Sequence, residues 1–88
     1  LPYKYDTRLQ LGNRVVYPDF IIRRWDDKQV IWEHFGLMTD EEYAAHAIQK
    51  MMLYQRCGYI THTDLIYTFE SDVEDPAVLD DIIKKFLL

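Results

Sequence analysis

Three runs rich in β-branched and aromatic residues, joined by two very short polar breaks, dominate the first 36 residues. The central part reads VVYPDFIIRRWDDKQVIWEHFG, residues 15 to 36. Runs of this kind at this spacing form paired strands. Each arm carries a carboxylate at its middle, Asp19 in one and Glu33 in the other. A polar group in the centre of an apolar strand asks for a partner or a purpose.

Turn chemistry fixes the register of such strands. Gly12-Asn13 is a two-residue turn of the type that favours glycine at its first central position. It sets Leu11 opposite Arg14, Leu9 opposite Val16 and Asp6 opposite Asp19. A second turn over Trp25–Asp27, centred on Asp26, sets Arg24 opposite Lys28, Ile21 opposite Ile31 and Asp19 opposite Glu33. Asp6, Asp19 and Glu33 then form one row across three strands. Directly opposed like charges repel. The row calls for a shared proton or a cation, and hard oxygen ligands of this kind suit Mg²⁺ or Mn²⁺. An exposed polar sheet face is the other reading. The opposite face carries Tyr5, Leu9, Val16, Phe20, Ile22, Val30 and Trp32 and is expected to be the core, so that one side of the sheet is buried and the other displays acids.

The periodicity changes after Gly36. Thr39 and Glu42 in TDEE predict a capping box opening a helix over 40–56, closed by Gly58. Its expected inner stripe is Ala44, Ile48, Met51, Met52 and Gln55. Tyr43, His46, Ala47, Lys50 and Tyr54 form an adjacent stripe. Residues 63–71 predict a fourth strand. Asp75-Pro76 is an N-cap followed by a proline at the first helical position, and the last helix buries Val78, Leu79, Ile82, Ile83 and Phe86. The expected fold class is α/β: a three-stranded antiparallel meander followed by helix, strand and helix in a mixed sheet. The 88 residues make a single domain, 1–88.

Composition limits function further. The net charge of −5 argues against a freestanding binder driven only by phosphate attraction. Cys57 is the only cysteine, so there is no internal disulfide and no cysteine-based zinc pattern. No apolar run approaches a membrane span, and no signal peptide is visible. A cytoplasmic location and no membrane partner are expected. His46 and His62 have no spaced ligand partner. Arg14, Arg23, Arg24 and Lys28 near the hairpin ends suit either phosphate contact or plain solvation. Trp25 is either an exposed contact or folded over its turn.

At YPDF…WEHFG the chain resembles the PD-(D/E)xK nuclease superfamily, and specifically a bacterial branch found at the ends of larger proteins. Pro18-Asp19 at a strand end and Glu33 on the next strand carry the resemblance, which extends over nearly the whole chain. It implies a restriction-endonuclease-like core and Mg²⁺- or Mn²⁺-dependent endonuclease or exonuclease activity, with DNA as the expected substrate. It implies Asp19, Glu33 and the main-chain carbonyl of His34 as metal ligands, with Asp6 an additional acid. Two features depart from the pattern. Phe35 stands where the motif expects lysine, and alternation turns the His34 side chain away from Glu33. Lys50 is the candidate replacement, since related nucleases carry the lysine on this helix; a solvated surface lysine is the alternative. The superfamily's N-terminal helix is also absent, so an upstream helix and further domains of a parent chain are expected, with a homodimer possible. A catalytically degenerate module for nucleic-acid binding or assembly is the alternative function. A protein-interaction module is a third, for which the sequence offers no exposed apolar edge.

Overall fold

The computed structural model describes residues 3–88, apart from the side chains of Ser71 and Val73. Among the described residues the elements follow in the order β1 (Tyr3–Tyr5), β2 (Leu9–Leu11), β3 (Arg14–Val16), β4 (Phe20–Arg23), β5 (Gln29–Phe35), α1 (Glu41–Arg56), β6 (Leu65–Phe69), α2 (Glu70–Val73) and α3 (Pro76–Phe86). The domain is α/β, with a four-stranded mixed sheet in the order β1-β4-β5-β6 and a separate β2-β3 ribbon. Strands β1, β4 and β5 are antiparallel, and β6 joins β5 in parallel through α1.

Both expected registers hold. Leu9 pairs with Val16 and Leu11 with Arg14, while Ile21 pairs with Ile31 and Phe20 with Trp32. Gly12 has φ +60°, as a turn needing glycine at its first central position requires. In the second turn the Arg24 amide donates to the Lys28 carbonyl at 2.9 Å and the Asp27 amide to the Arg24 carbonyl at 3.0 Å. The Arg24 guanidinium pairs with Asp26 at 2.8 Å and donates to the Thr63 and Phe86 carbonyls at 2.7 and 3.3 Å. Arg24 thus ties the hairpin tip to the turn before β6 and to the end of α3, while Trp25 is exposed.

The first long hairpin is broken where a continuous meander was expected. Pro18 lacks the amide that a ladder needs, and on the other strand Asp6, opposite Asp19, takes a left-handed φ of +49°. The register survives the break, since Tyr3 pairs with Ile22 and Tyr5 with Phe20. Beyond it the β2-β3 ribbon turns over α1.

Both faces of the sheet are covered, which corrects the expectation of one acid-bearing open face. On one side Ile22, Val30, Ile66 and Leu87 form a core with Phe20, Trp32, Ile82, Ile83 and Phe86. On the other Leu11, Ile31, Tyr54 and Leu65 pack with Leu9, Val16, Leu53, Tyr59 and Tyr67. Leu9 and Val16 therefore lie on the α1 side, because the bend carries them across, and Tyr5 is exposed.

Helix α1 sits differently on the sheet from the expected arrangement. Ala47 and Tyr54 are its buried residues, whereas Ile48 and Met52 are about half exposed, at 50% and 52%. The stripe through Tyr43, Ala47, Lys50 and Tyr54 is the inner one. Ala47 is buried, and Tyr54 fills the space against Ile31 and Leu65. The N-cap is Asp40, whose carboxylate accepts from the Tyr43 amide at 2.9 Å, in place of Thr39. The expected fourth strand ends at Phe69, and residues 70–73 form a short helix. Asp75 caps α3, accepting from the Ala77 amide at 3.0 Å. Among the described residues, no helix is long and apolar enough to cross a membrane.

Candidate active site

Asp19 and Glu33 meet just past the last rung of the β4–β5 ladder, the Phe20–Trp32 pair. The backbone amides here lack ladder partners, and the two carboxylates supply them. Glu33 Oε1 accepts from the Asp19 amide at 2.6 Å, and Asp19 Oδ2 accepts from the His34 amide at 2.7 Å. Each acid holds the backbone of the other's strand.

Glu33 is buried, at 1% exposure. A lone buried carboxylate is strongly unfavourable, and its counter-charge comes from α1. Lys50 Nζ stands 2.5 Å from Glu33 Oε2 and also donates to the Tyr17 carbonyl at 3.3 Å. Lys50 reaches Glu33 because its stripe faces the sheet. The Tyr17 carbonyl is available at the bend, where the strand leaves the sheet.

A cleft of about 260 Å³ opens here, lined by Asp19, Glu33, Tyr43, His46 and Lys50 among others. Within reach of the Glu33 charge, the Tyr54 and Tyr67 hydroxyls are buried without a hydrogen-bond partner among the described residues. Burial first, then the Glu33 charge, pushes the Tyr54 hydroxyl far up. Burial likewise pushes Tyr67 up to about 12. Both are neutral donors at ordinary pH.

Two residues of the expected site stand apart. The imidazole of His34 lies on the α3 side of the sheet, with Nδ1 2.9 Å from Thr68 Oγ1 and Nε2 3.4 Å from Glu70. Only its backbone reaches Asp19. Asp6 is exposed, and its amide donates to the Asp19 carbonyl at 3.1 Å. Among the described residues there is no group of three or more His, Cys, Asp or Glu side chains arranged to hold a metal ion. The expected three-acid row is thus reduced to the Asp19–Glu33 pair. Tyr43 and His46 were not expected to line the site, although they share the Lys50 stripe. The Tyr17 carbonyl and the two buried tyrosines had no sequence signal.

Burial holds the Glu33 carboxyl above its ordinary range, against the attraction of Lys50. A carboxyl raised on folding binds its proton more tightly in the folded chain. Stability is therefore expected to fall as pH climbs from the ordinary carboxylate range through the raised value. Glu33→Gln should flatten that fall when urea midpoints are compared across pH. A slope unchanged in the variant would assign it to other groups.

Comparison with protein-family models, with curated proteins and with solved structures returned no match.

Proposed function

We propose that this domain is a metal-dependent phosphodiester hydrolase acting on nucleic acid, with Asp19 and Glu33 as metal ligands and Lys50 as the catalytic cation. The observation that carries the proposal is the Lys50 ammonium 2.5 Å from the buried Glu33 carboxylate, delivered by a helix to the place that Phe35 leaves without a charge. In this reading a helix lysine takes the part of the motif's strand lysine and reaches the acid from α1.

The donor set fits a hard divalent ion. Mg²⁺ keeps several waters and needs only one or two protein carboxylates, and two opposed carboxylates border the cleft. When bound, the ion supplies charge neutralisation at the phosphate and a lowered pKa for its water. The chain's own residues do the rest. Asp19 and Glu33 are locked in orientation by the backbone amides they accept from. Lys50 offsets the charge of Glu33 and offers an ammonium to a phosphoryl oxygen. Tyr43 and His46 border the cleft where a substrate enters.

A second reading has its own support. Both Glu33 oxygens and one Asp19 oxygen already have protein partners, as they would in a non-catalytic module that keeps the acids for stability. Cleavage separates the two. Plasmid DNA and a labelled single strand should be cut in Mg²⁺ or Mn²⁺ and left intact in EDTA, and Asp19→Asn and Glu33→Gln should abolish cutting while remaining folded. Absence of metal-dependent cutting on both substrates, or full cutting by both variants, would sink the hydrolase reading.

A further inference from the structure

The candidate site shares a wall with a second cleft, of about 330 Å³, between α1 and the β2-β3 ribbon. Arg14, His46, Gln49, Lys50 and Arg56 line it, with no carboxylate among the described residues that do. This is unusual for a chain of net charge −5. His46 and Lys50 belong to both clefts, so the basic cleft leads directly to Asp19 and Glu33.

The placement follows from the fold. His46, Gln49, Lys50 and Arg56 recur at helical spacing along one side of α1. Arg14 comes from β3, carried over the helix by the bend at Pro18. Among the described residues, neither Arg14 nor Arg56 forms an ion pair. The contrast is with Arg24, which is paired with Asp26 and bonded to two carbonyls. Arg24 is explained by the fold, whereas Arg14 and Arg56 are exposed cations facing one cleft without acids. Guanidinium groups suit phosphate because their planar donor forks match its oxygens.

We infer that this cleft binds the phosphates of a single-stranded nucleic acid and guides the strand towards Asp19 and Glu33. A ribbon on one side and a helix on the other make a channel for one strand. The hydrolase reading sets where the strand leads, on which this inference rests; the test is read by binding, so the two fail separately.

The experiment is fluorescence anisotropy of a labelled oligodeoxythymidine with the chain in EDTA, over a range of salt. The Arg14→Ala/Arg56→Ala variant should bind more weakly, and its slope of log affinity against log salt should fall by about 1.4, at roughly 0.7 per lost phosphate contact on a single strand. Arg14→Lys/Arg56→Lys should keep most of the slope. Arg23→Ala, an exposed arginine outside this cleft, is the control. Both altered arginines are exposed, so the variants' thermal melts should match the wild type. The inference is overturned if the double alanine variant keeps the wild-type slope, or if Arg23→Ala lowers it as much. Displacement of the strand by polyglutamate at equal charge concentration would also overturn it, and would assign the cleft to an acidic protein.

Discussion

Replacing Lys50 with methionine is expected to lower the proposed cleavage sharply and to remove much of the stability with it. Methionine keeps the length of the stem and loses the ammonium, leaving Glu33 buried with no counter-charge. Breaking a buried pair from one side costs about 3–5 kcal/mol. Lys50 is 29% exposed, so water reaches its end of the pair and the lower part of that range applies. For a domain of this size each kcal/mol lowers Tm by about 4–8 °C. The rate should fall by ~10²–10³, as when a group that stabilises developing charge is removed. The double variant Lys50→Met/Glu33→Gln separates the two effects, because it removes both charges. It should recover most of the stability and none of the cleavage. A stability loss below about 1 kcal/mol in the single variant would make the pair equivalent to a surface ion pair. Unchanged cleavage in the single variant would remove Lys50 from catalysis.

If the domain acts as proposed, Mg²⁺ or Mn²⁺ is expected to stabilise the wild type thermally, and Asp19→Ala to abolish that stabilisation. An ion that binds only the folded chain stabilises it by roughly 2.7 kcal/mol at a hundredfold excess over Kd. The variant should also start from a lower Tm without metal. Its missing carboxylate accepted the His34 amide at 2.7 Å, and an orphaned partly buried donor costs about 1–3 kcal/mol. Asp19→Asn keeps an oxygen for that amide and should restore most of the metal-free stability without the metal response. Thermal melts of the three proteins with and without metal decide the matter. Equal metal shifts in wild type and Asp19→Ala would remove Asp19 from the site.

What the sequence determined by itself is local. Gly12-Asn13 and Trp25–Asp27 set both registers through their own turn chemistry, and a period of two then brought Asp19 opposite Glu33. Asp75-Pro76 marked the start of α3 for the same kind of reason, a cap satisfying the first free amides. The tertiary structure decided what these elements face. Helix α1 has apolar residues on two neighbouring stripes, Ile48 and Met52 on one and Tyr43, Ala47 and Tyr54 on the other. Its own periodicity cannot choose between them. Packing chose the stripe whose large Tyr54 fits against Ile31 and Leu65, and this turned Lys50 inward to Glu33. The bend at Asp6 and Pro18 likewise needed both arms of the hairpin at once, since a missing donor on one strand became a change of direction only where the other could follow. That bend took Leu9 and Val16 to the α1 side and left Asp6 outside the acid pair. The acid face could be buried because a lysine 17 residues further along the chain supplies the neutralising charge, and strand alternation carries no information about a partner that arrives from a different element.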